Sequence, residues 1–394
     1  MQGIKTVNFK NKRVIVRADF NVPLDDSLKI TDISRLTAAL PTINFVLGKG
    51  GAVILISHLG RPAKKDSLLS LKPIAKKLSQ LINRPIEFFN DCVGSEALQK
   101  AKNLHPGEII LLENLRFYKD EALGGVDFAQ KLSNMADIYI NDAFGSSHRA
   151  HASTYTIAQF FKNHKYGGFL LEKEVSSLDS ILVSPKNPFV AVIGGAKISS
   201  KIDVLFSLIQ HVDKIIIGGG MAYTFIKAQG GSVGKSLVEE EKLSAAKNII
   251  KKAQEQSVPL ILPVDSVNSL EFNDTSPTCI SDVFNIPENY MGLDIGPKTI
   301  SLFNRHIISS KTILWNGPMG VFELLNFSNG TRLICESVCA GTQNGARSLV
   351  GGGDSVAALK KFDSSDKVSY ISTGGGAMLE YLKGKDLPAL KALL

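Results

Sequence analysis

Cysteine and tryptophan are both scarce in this chain, with four of the former and one of the latter in 394 residues. Cys92, Cys279, Cys335 and Cys339 form no CxxC pair, so no disulfide framework is expected. No apolar run approaches the roughly 20 residues that a membrane span needs. The opening stretch, Met1 to Lys12, is mixed polar with no apolar h-region, so a secretory signal is not expected either. Long basic runs and RNP-like aromatic motifs are missing, which argues against a nucleic-acid partner. Lys64-Lys65 and Lys76-Lys77 read as solvated faces. The expectation is a soluble, cytoplasmic protein that binds no membrane.

What is present is ordinary globular material. Hydrophobic residues make up 44% and charged residues 21%, a balance that excludes long disorder. The length fits two domains. The net charge of +8 is not evenly spread. Residues 1–168 hold 23 Lys and Arg against 15 Asp and Glu, whereas residues 169–394 hold 22 of each. A basic half of this kind suits a small anionic ligand.

Short β-branched runs recur, each followed by a turn and a period-3.6 stretch. They are Arg13–Arg17, Val53–Ser57, Ile86–Phe89, Ile109–Leu112, Ile138–Ile140, Phe189–Ile193, Lys214–Ile217, Pro259–Leu262, Thr312–Trp315 and Val368–Ser372. Continuous apolar runs fit buried parallel strands, and strand–helix alternation in both halves predicts α/β architecture: two doubly wound, Rossmann-like parallel-sheet domains. Gly167-Gly168 leads into one long helical stretch, Phe169–Leu182, which Pro185 stops. The predicted boundaries are 1–168, a hinge helix at 169–183, a second domain at 184–373 and a closing segment at 374–394.

Four glycine-rich turns follow strands in the second half: Gly194-Gly195-Ala196-Lys197, Gly218-Gly219-Gly220, Gly351-Gly352-Gly353-Asp354 and Gly374-Gly375-Gly376. Glycine lets backbone amides approach a phosphate, and a following helix N-terminus adds free N–H groups. Gly234-Lys235-Ser236 ends like a Walker A loop, but Gln229 stands where its first glycine belongs. Tyr223 likewise breaks a GxGxxG reading from Gly218. Lys197 and Lys201 are four apart and are expected to share one helix face, addressing one polyanion. Asp354 is read either as an N-cap or as a ligand for Mg²⁺ on a nucleotide.

In the first half, Asp19, Asn21, His58, Arg61, Arg116 and Arg149 follow predicted strands, and Arg35 opens a predicted helix. Arginines gathered at strand carboxyl ends form a cradle for phosphate or carboxylate. His148 and His151 flank Arg149, but no further Cys or HExxH pattern supports zinc. A dehydrogenase and a non-catalytic two-lobed binding protein are the competing classes. The first lacks its dinucleotide fingerprint, and the second leaves Lys197, Asp354 and Glu323 unexplained together.

The stretches Arg17–Pro23, Ser57–Pro62, Leu112–Phe117, Asn141–Phe144 and His148–Thr154 resemble phosphoglycerate kinases. So do Gly194–Lys197, Gly218–Ala222, Trp315–Glu323, Gly351–Ser355 and Ser372–Ala377, all in the family's order. The departures are small: Ser146-Ser147 where Thr-Ala is commoner, and Ser355 where Thr is frequent. The resemblance implies a cytoplasmic monomer that moves a phosphoryl group between ATP and 3-phosphoglycerate with Mg²⁺. It implies 3-phosphoglycerate held by Asp19, Phe20, Asn21, Arg35, His58, Leu59, Gly60, Arg61, Arg116 and Arg149. It implies nucleotide held by Lys197, Lys201, Gly218, Gly219, Gly292, Asn316, Glu323, Gly352, Gly353, Asp354 and Ser355. Arg35, Lys197, Gly352 and Gly375 are the implied catalytic set. Lobe closure about the hinge, and a C-terminal segment folding back to the first lobe, are implied as well.

Overall fold

The computed structural model describes residues 1–25, 27–384 and 386–394. Its strands, in chain order, are β1 (Arg13–Ala18), β2 (Ala52–Ile56), β3 (Glu87–Phe89), β4 (Ile109–Leu112), β5 (Ile138–Asp142), β6 (Lys165–Gly167), β7 (Phe189–Ile193), β8 (Lys214–Ile217), β9 (Ser232–Val233), β10 (Leu260–Ile261), β11 (Asp265–Ser269), β12 (Thr278–Asp282), β13 (Asn285–Ile286), β14 (Met291–Ile295), β15 (Thr312–Asn316), β16 (Arg347–Val350) and β17 (Tyr370–Ile371). All ten runs read from the sequence contain strands of the two main sheets.

The first sheet is parallel throughout, in the order β3-β4-β2-β1-β5-β6. The second is parallel in the order β10-β8-β7-β15-β16-β17. The central strands are fully buried, as Val-Ile-Leu-Ile at 53–56 and Phe-Val-Ala-Val-Ile at 189–193 require. Helices cover the sheets; the first core joins Val14, Val16, Val53 and Leu55 to Leu36, Ile43, Ile74 and Leu78. The second joins Val190, Val192, Ile313 and Trp315 to Phe303, Ile334 and Val338. Trp315 is wholly buried. Removing about 200 Å² of indole from water is worth on the order of 5 kcal/mol.

In each sheet the chain order reverses beside the first strand laid down, between β1 and β5 and between β7 and β15. Open α/β sheets bind ligands at such switch points, outside the strand carboxyl ends.

The chain divides into two compact units, Met1–Ser176 with Asp386–Leu394, and Ser177–Lys385. The division falls inside the predicted helix Phe169–Leu182, which is present. The returning segment is shorter than predicted: 386–394 group with the first unit, while the helix Gly375–Leu382 stays with the second. Ala389 N donates to Ser147 O at 3.1 Å, and Lys165 Nζ to Ala392 O at 2.8 Å, both within the first unit.

A small antiparallel sheet, β12-β11-β14, and the parallel pair β13-β9 add to the second unit. Neither was legible as apolar runs. The strand β11 reads Asp-Ser-Val-Asn-Ser, polar yet mostly buried. Part of this polarity is paired: Thr299 Oγ1 donates to Asp265 Oδ1 at 2.6 Å and Asn268 Nδ2 to Ser281 Oγ at 2.9 Å, while Asn268 Oδ1 and Ser269 Oγ are buried with no hydrogen-bond partner among the described residues. Buried polar groups hold in place when so paired.

Candidate active site

The first unit brings its predicted anion-binding residues together above the ends of β1, β2 and β4. Asp19 leaves β1 and accepts from Arg35 Nη1 at 2.8 Å. Burial alone would raise the Asp19 carboxyl, but the nearby His58, Arg35 and Arg17 outweigh it and hold its pKa below the usual range. Asn21 Oδ1 accepts from Gly60 N at 2.8 Å, tying the turn after β1 to the turn after β2. Gly60 needs its positive φ of 63° for that turn, and its carbonyl accepts from Arg116 Nη1. Phe20 and Leu59 are buried supports; Phe20 N donates to Ser57 Oγ at 2.8 Å. Arg61 is exposed, while Arg35, Arg116 and Arg149 are half-buried. Burial first, then Arg17 and Arg149, push Arg116 down to about 10, still charged at neutral pH.

Two groups that the sequence reading did not assign complete the cluster. Arg17, the end of the first strand run, is fully buried, with Nε donating to Ser153 Oγ at 2.8 Å and Nη1 to Ala18 O at 2.5 Å. Its Nη2 lies 3.1 Å from His58 Nδ1. A guanidinium only donates, so Nδ1 must accept, and His58 carries its proton on Nε2. Burial also drives the His58 pKa well below its ordinary value, so the ring is a neutral donor. Asp19 Oδ1, at 4.0 Å, is too far to compete for Nδ1. The second group is Ser153, buried behind Arg17.

His148 and His151 do not form a metal pair with each other. His148 Nε2 accepts from Arg149 Nε at 3.0 Å, and His151 Nδ1 faces Glu121 Oε1 at 3.9 Å. Burial, reinforced by Arg17, Arg116 and Arg149, lowers His151 to about 4.

The glycine turns of the second unit separate into two kinds. Around β7, β8 and β15 they interlock. Gly194 N donates to Asn316 O at 2.9 Å, Gly195 N to Pro318 O at 3.0 Å and Gly219 N to Met319 O at 3.1 Å. A Cβ on Gly317 would lie 2.2 Å from Gly194 O, and one on Gly219 would lie 2.6 Å from Gly195 N. Gly218 N donates to Ile193 O at 2.9 Å. These glycines let three backbones touch, and the four amides at 194, 195, 218 and 219, expected to face a phosphate, are spent on the carbonyls of Asn316, Pro318, Ile193 and Met319.

The other kind is open. The helix Gly353–Lys361 begins after Gly352, whose φ is 97°, and no side chain caps it. The helix Gly375–Leu382 begins beside it, with the Cβ position of Gly375 lying 3.1 Å from Gly352 Cα. The first-turn amides of both helices therefore stay available, with the positive ends of both dipoles. Asp354 is the second residue of its helix and exposed; Gly352 takes the cap position, which corrects the N-cap reading.

Lys197 and Lys201 do not share a helix face as expected. Lys197 is extended (φ −126°, ψ 129°) and exposed, and a 3-10 turn, Ile198–Ser200, separates it from Lys201. Lys201 is half-buried and donates to Asn316 Oδ1, with burial lowering its pKa to about 8 against the opposing pull of Asp354. Asn316 Nδ2 donates in turn to Gly351 O at 2.6 Å, and Gly317 N to Ser355 Oγ at 2.6 Å. Asn316 and Ser355 thus brace the loops. Gly292 is buried: its amide donates to Ser236 Oγ at 2.9 Å, and the Tyr223 hydroxyl fills the space a side chain would need. Glu323 is exposed after the β15 loop.

Asp294, near the end of β14, carries no signal in the sequence. It is buried, accepts from Gly330 N at 2.6 Å and Ile295 N at 2.9 Å, and burial raises it to about 7. Gly320 and Gly330 make room for it; a Cβ on either would meet Asp294 Oδ1 at 2.2 or 2.1 Å.

Parallel α/β units that offer an arginine cradle on one and uncapped helix N-termini beside lysines on the other define an enzyme that handles phosphorylated anions. The phosphoglycerate kinase family model matches residues 4–385. A phosphoglycerate kinase of Chlorobium phaeobacteroides is 50% identical over 393 residues, covering 100% of this chain and 99% of that protein. One from Porphyromonas gingivalis is 47% identical, with 99% of each covered. The solved phosphoglycerate kinase structure from Coxiella burnetii superimposes with a TM-score of 0.90 at 42% identity, covering 99% of this chain and 98% of that one. The structure from Pyrococcus horikoshii gives 0.86 at 30% identity, covering 100% and 98%. The chain belongs to the phosphoglycerate kinase family. It is a glycolytic phosphotransferase, reversibly moving a phosphoryl group between 1,3-bisphosphoglycerate and ADP to give 3-phosphoglycerate and ATP. Among the described residues no helix is long and apolar enough to cross a membrane.

Proposed function

We propose that 3-phosphoglycerate is held by the first unit, through Asp19, Asn21, Arg35, His58, Arg61, Arg116 and Arg149, and the nucleotide by the second. The observation that carries this division is the pairing of uncapped helix starts at Gly352–Ser355 and Gly375–Ala377, where the first unit has instead a cluster of arginines. Phosphates suit the amides and dipole ends, with Lys197 and Lys201 adding charge. Gly218, Gly219 and Gly292 act in this reading by shape, because protein atoms (Met319, Gly195 and the Tyr223 hydroxyl) already fill the space a side chain would take, while their amides hold the loops. Phe20, Leu59 and Gly60 shape the other cradle.

The acceptor carboxylate is already ionised at pH 7, so the reaction needs no enzymic base. A His58 held neutral, with Nε2–H outward, agrees with that role: it donates and does not abstract. What the residues supply is alignment and charge neutralisation. Arg35, Lys197 and the amides at Gly352 and Gly375 face the transferring group, with closure about the 169–183 helix bringing the ligands together.

Mg²⁺ fits the second unit as a companion of the nucleotide. Among the described residues no cluster of three or more His, Cys, Asp or Glu could hold a metal by itself. Asp354, exposed at a helix start, offers the one or two carboxylate oxygens that Mg²⁺ takes when phosphates supply the rest. The ion would neutralise phosphate charge there. We place the enzyme in the cytoplasm as a monomer with no nucleic-acid or membrane partner, on its membership of the phosphoglycerate kinase family.

The division of ligands is tested by titrating each one against site variants. Arg116→Ala should weaken 3-phosphoglycerate and leave ATP binding unchanged; weakened ATP alone would refute the assignment. Turnover is followed with ATP, Mg²⁺ and 3-phosphoglycerate and a reductive coupling enzyme.

Lys201 gives a second expected result. Its pKa near 8 leaves part of the population neutral at pH 8. Phosphate charge favours the protonated form, so nucleotide binding should take up protons between about pH 7.5 and 9. Calorimetry in buffers of different ionisation enthalpy measures the uptake, which Lys201→Arg should abolish. Uptake that survives this substitution assigns the proton elsewhere.

A further inference from the structure

Behind the arginine cluster runs a buried chain of hydrogen bonds that ends on a carboxylate remote from either ligand position. Glu121, on the short helix Lys119–Leu123, is fully buried. Its Oε1 accepts from Ser153 Oγ at 2.7 Å and its Oε2 from Ser153 N at 3.0 Å. The Ser153 hydroxyl has one proton, and Glu121 takes it. Its oxygen is then free to accept, which it does from Arg17 Nε at 2.8 Å. Arg17 in turn donates to His58 Nδ1 at 3.1 Å. Burial raises the Glu121 carboxyl, against the pull of Arg17, Ser153 and Arg116. With Glu121 ionised, every donor and acceptor along Glu121, Ser153, Arg17 and His58 has one assignment, because the guanidinium cannot accept and a carboxylate cannot donate.

We propose that Glu121 is a positioning residue for substrate binding, holding Arg17 through Ser153 so that Arg17 keeps His58 in its Nε2–H tautomer. The inference rests on the reading that 3-phosphoglycerate sits in this cluster. Two further features point the same way. Arg17 is the most buried cation of a group that includes Arg35, Arg61, Arg116 and Arg149, and Glu121 is the acidic side chain bonded to its serine partner. The other ionisable neighbours cannot substitute for this link. His151 presents Nδ1 to Glu121 at 3.9 Å, beyond hydrogen-bond range, and Asp19 is engaged by Arg35 at 2.8 Å. A turned Arg17 would release Nδ1, and His58 would then exchange its proton between the two nitrogens. A large share of the rings would point an acceptor at an anionic ligand.

The test is Glu121→Gln in the full chain. A glutamine of the same shape can accept only one of the two Ser153 protons, so the hydroxyl must reorient. Long-range ¹H–¹⁵N spectra of histidine-labelled free protein report the His58 tautomer directly. The expected result is a shift of the His58 nitrogens toward a tautomeric mixture, with KM for 3-phosphoglycerate rising about tenfold and KM for ATP within about twofold of the parent. Circular dichroism and the unfolding midpoint check folding. Ser153→Ala removes the same link without touching the carboxylate, and should move His58 in the same direction even if Glu121→Gln does not fold. Unchanged His58 nitrogens in a folded variant of either kind overturn the proposal. A moved His58 with unchanged KM for 3-phosphoglycerate supports the hold on His58 and overturns the placement of the substrate here.

Discussion

Replacing Lys197 by alanine should cut kcat by on the order of 10²–10³, about 3–4 kcal/mol, the cost of losing one preorganised donor at a transition state. Lys201→Ala should chiefly raise KM for ATP. The two lysines differ in how they are held. Lys201 is half-buried and fixed on Asn316, suited to a ground-state phosphate whose position does not change. Lys197 follows the Gly194-Gly195 turn in extended backbone and is exposed, its ammonium making no hydrogen bond or ion pair among the described residues. It is free to follow charge that shifts as the phosphoryl group moves. Steady-state kinetics of both variants against ATP decides the matter. A Lys197→Ala enzyme with near-parental kcat and a raised KM would reverse the roles.

The largest effect on stability is expected at Gly317. Its φ is 103°, and a methyl group there would stand 2.2 Å from Gly194 O and 2.4 Å from Gly194 C, both backbone atoms that cannot turn aside. Overpacking of this kind costs about 1–3 kcal/mol, and left-handed backbone adds roughly 1–2 for a residue with a Cβ. Gly317→Ala should therefore lose about 2–5 kcal/mol, read from the denaturant midpoint of the second unit. The loop also carries the bond from Trp315 Nε1–H to Gly317 O at 2.8 Å, so indole fluorescence reports its displacement. Gly353→Ala is the contrast: nothing lies within 4 Å of its Cβ position, and its stability should match the parent. Equal losses at the two positions would mean that helix-start flexibility, not loop contact, governs both.

Much of the fold could be read from the chain because its parallel strands are short apolar runs between glycine turns. The exceptions have a physical pattern. The strand β16, Arg-Ser-Leu-Val, has two apolar residues, and β11 has one, Val267. Both are held by pairing with neighbours, which no local pattern announces. The site residues legible in the sequence were those at strand ends with charged or glycine signatures, such as Arg35, His58 and Lys197. Arg17 was visible as a motif residue but not as a buried one, and Glu121 carried no signal at all, since its partner Ser153 lies 32 residues away. The glycines at 194, 218 and 219 were read as phosphate donors because one residue type serves two ends. Only the hydrogen-bond partners tell a loop that touches a ligand from one that touches another loop.

The segment Asp386–Leu394 belongs to the first unit, and its Leu387, Ala389 and Leu393 are buried. The second unit is thus an insertion within the first, bounded by two crossings of the chain. During synthesis the residues that complete the second unit emerge before the segment that finishes the first. The unit begun earliest is therefore closed last, and until then its face around Ser147 and Lys165 stays uncovered. Domains generally fold as units in order of emergence, so here the order of birth and the order of completion run in opposite directions. A stalled or clipped chain would accumulate with its second unit finished and its basic first unit unfinished.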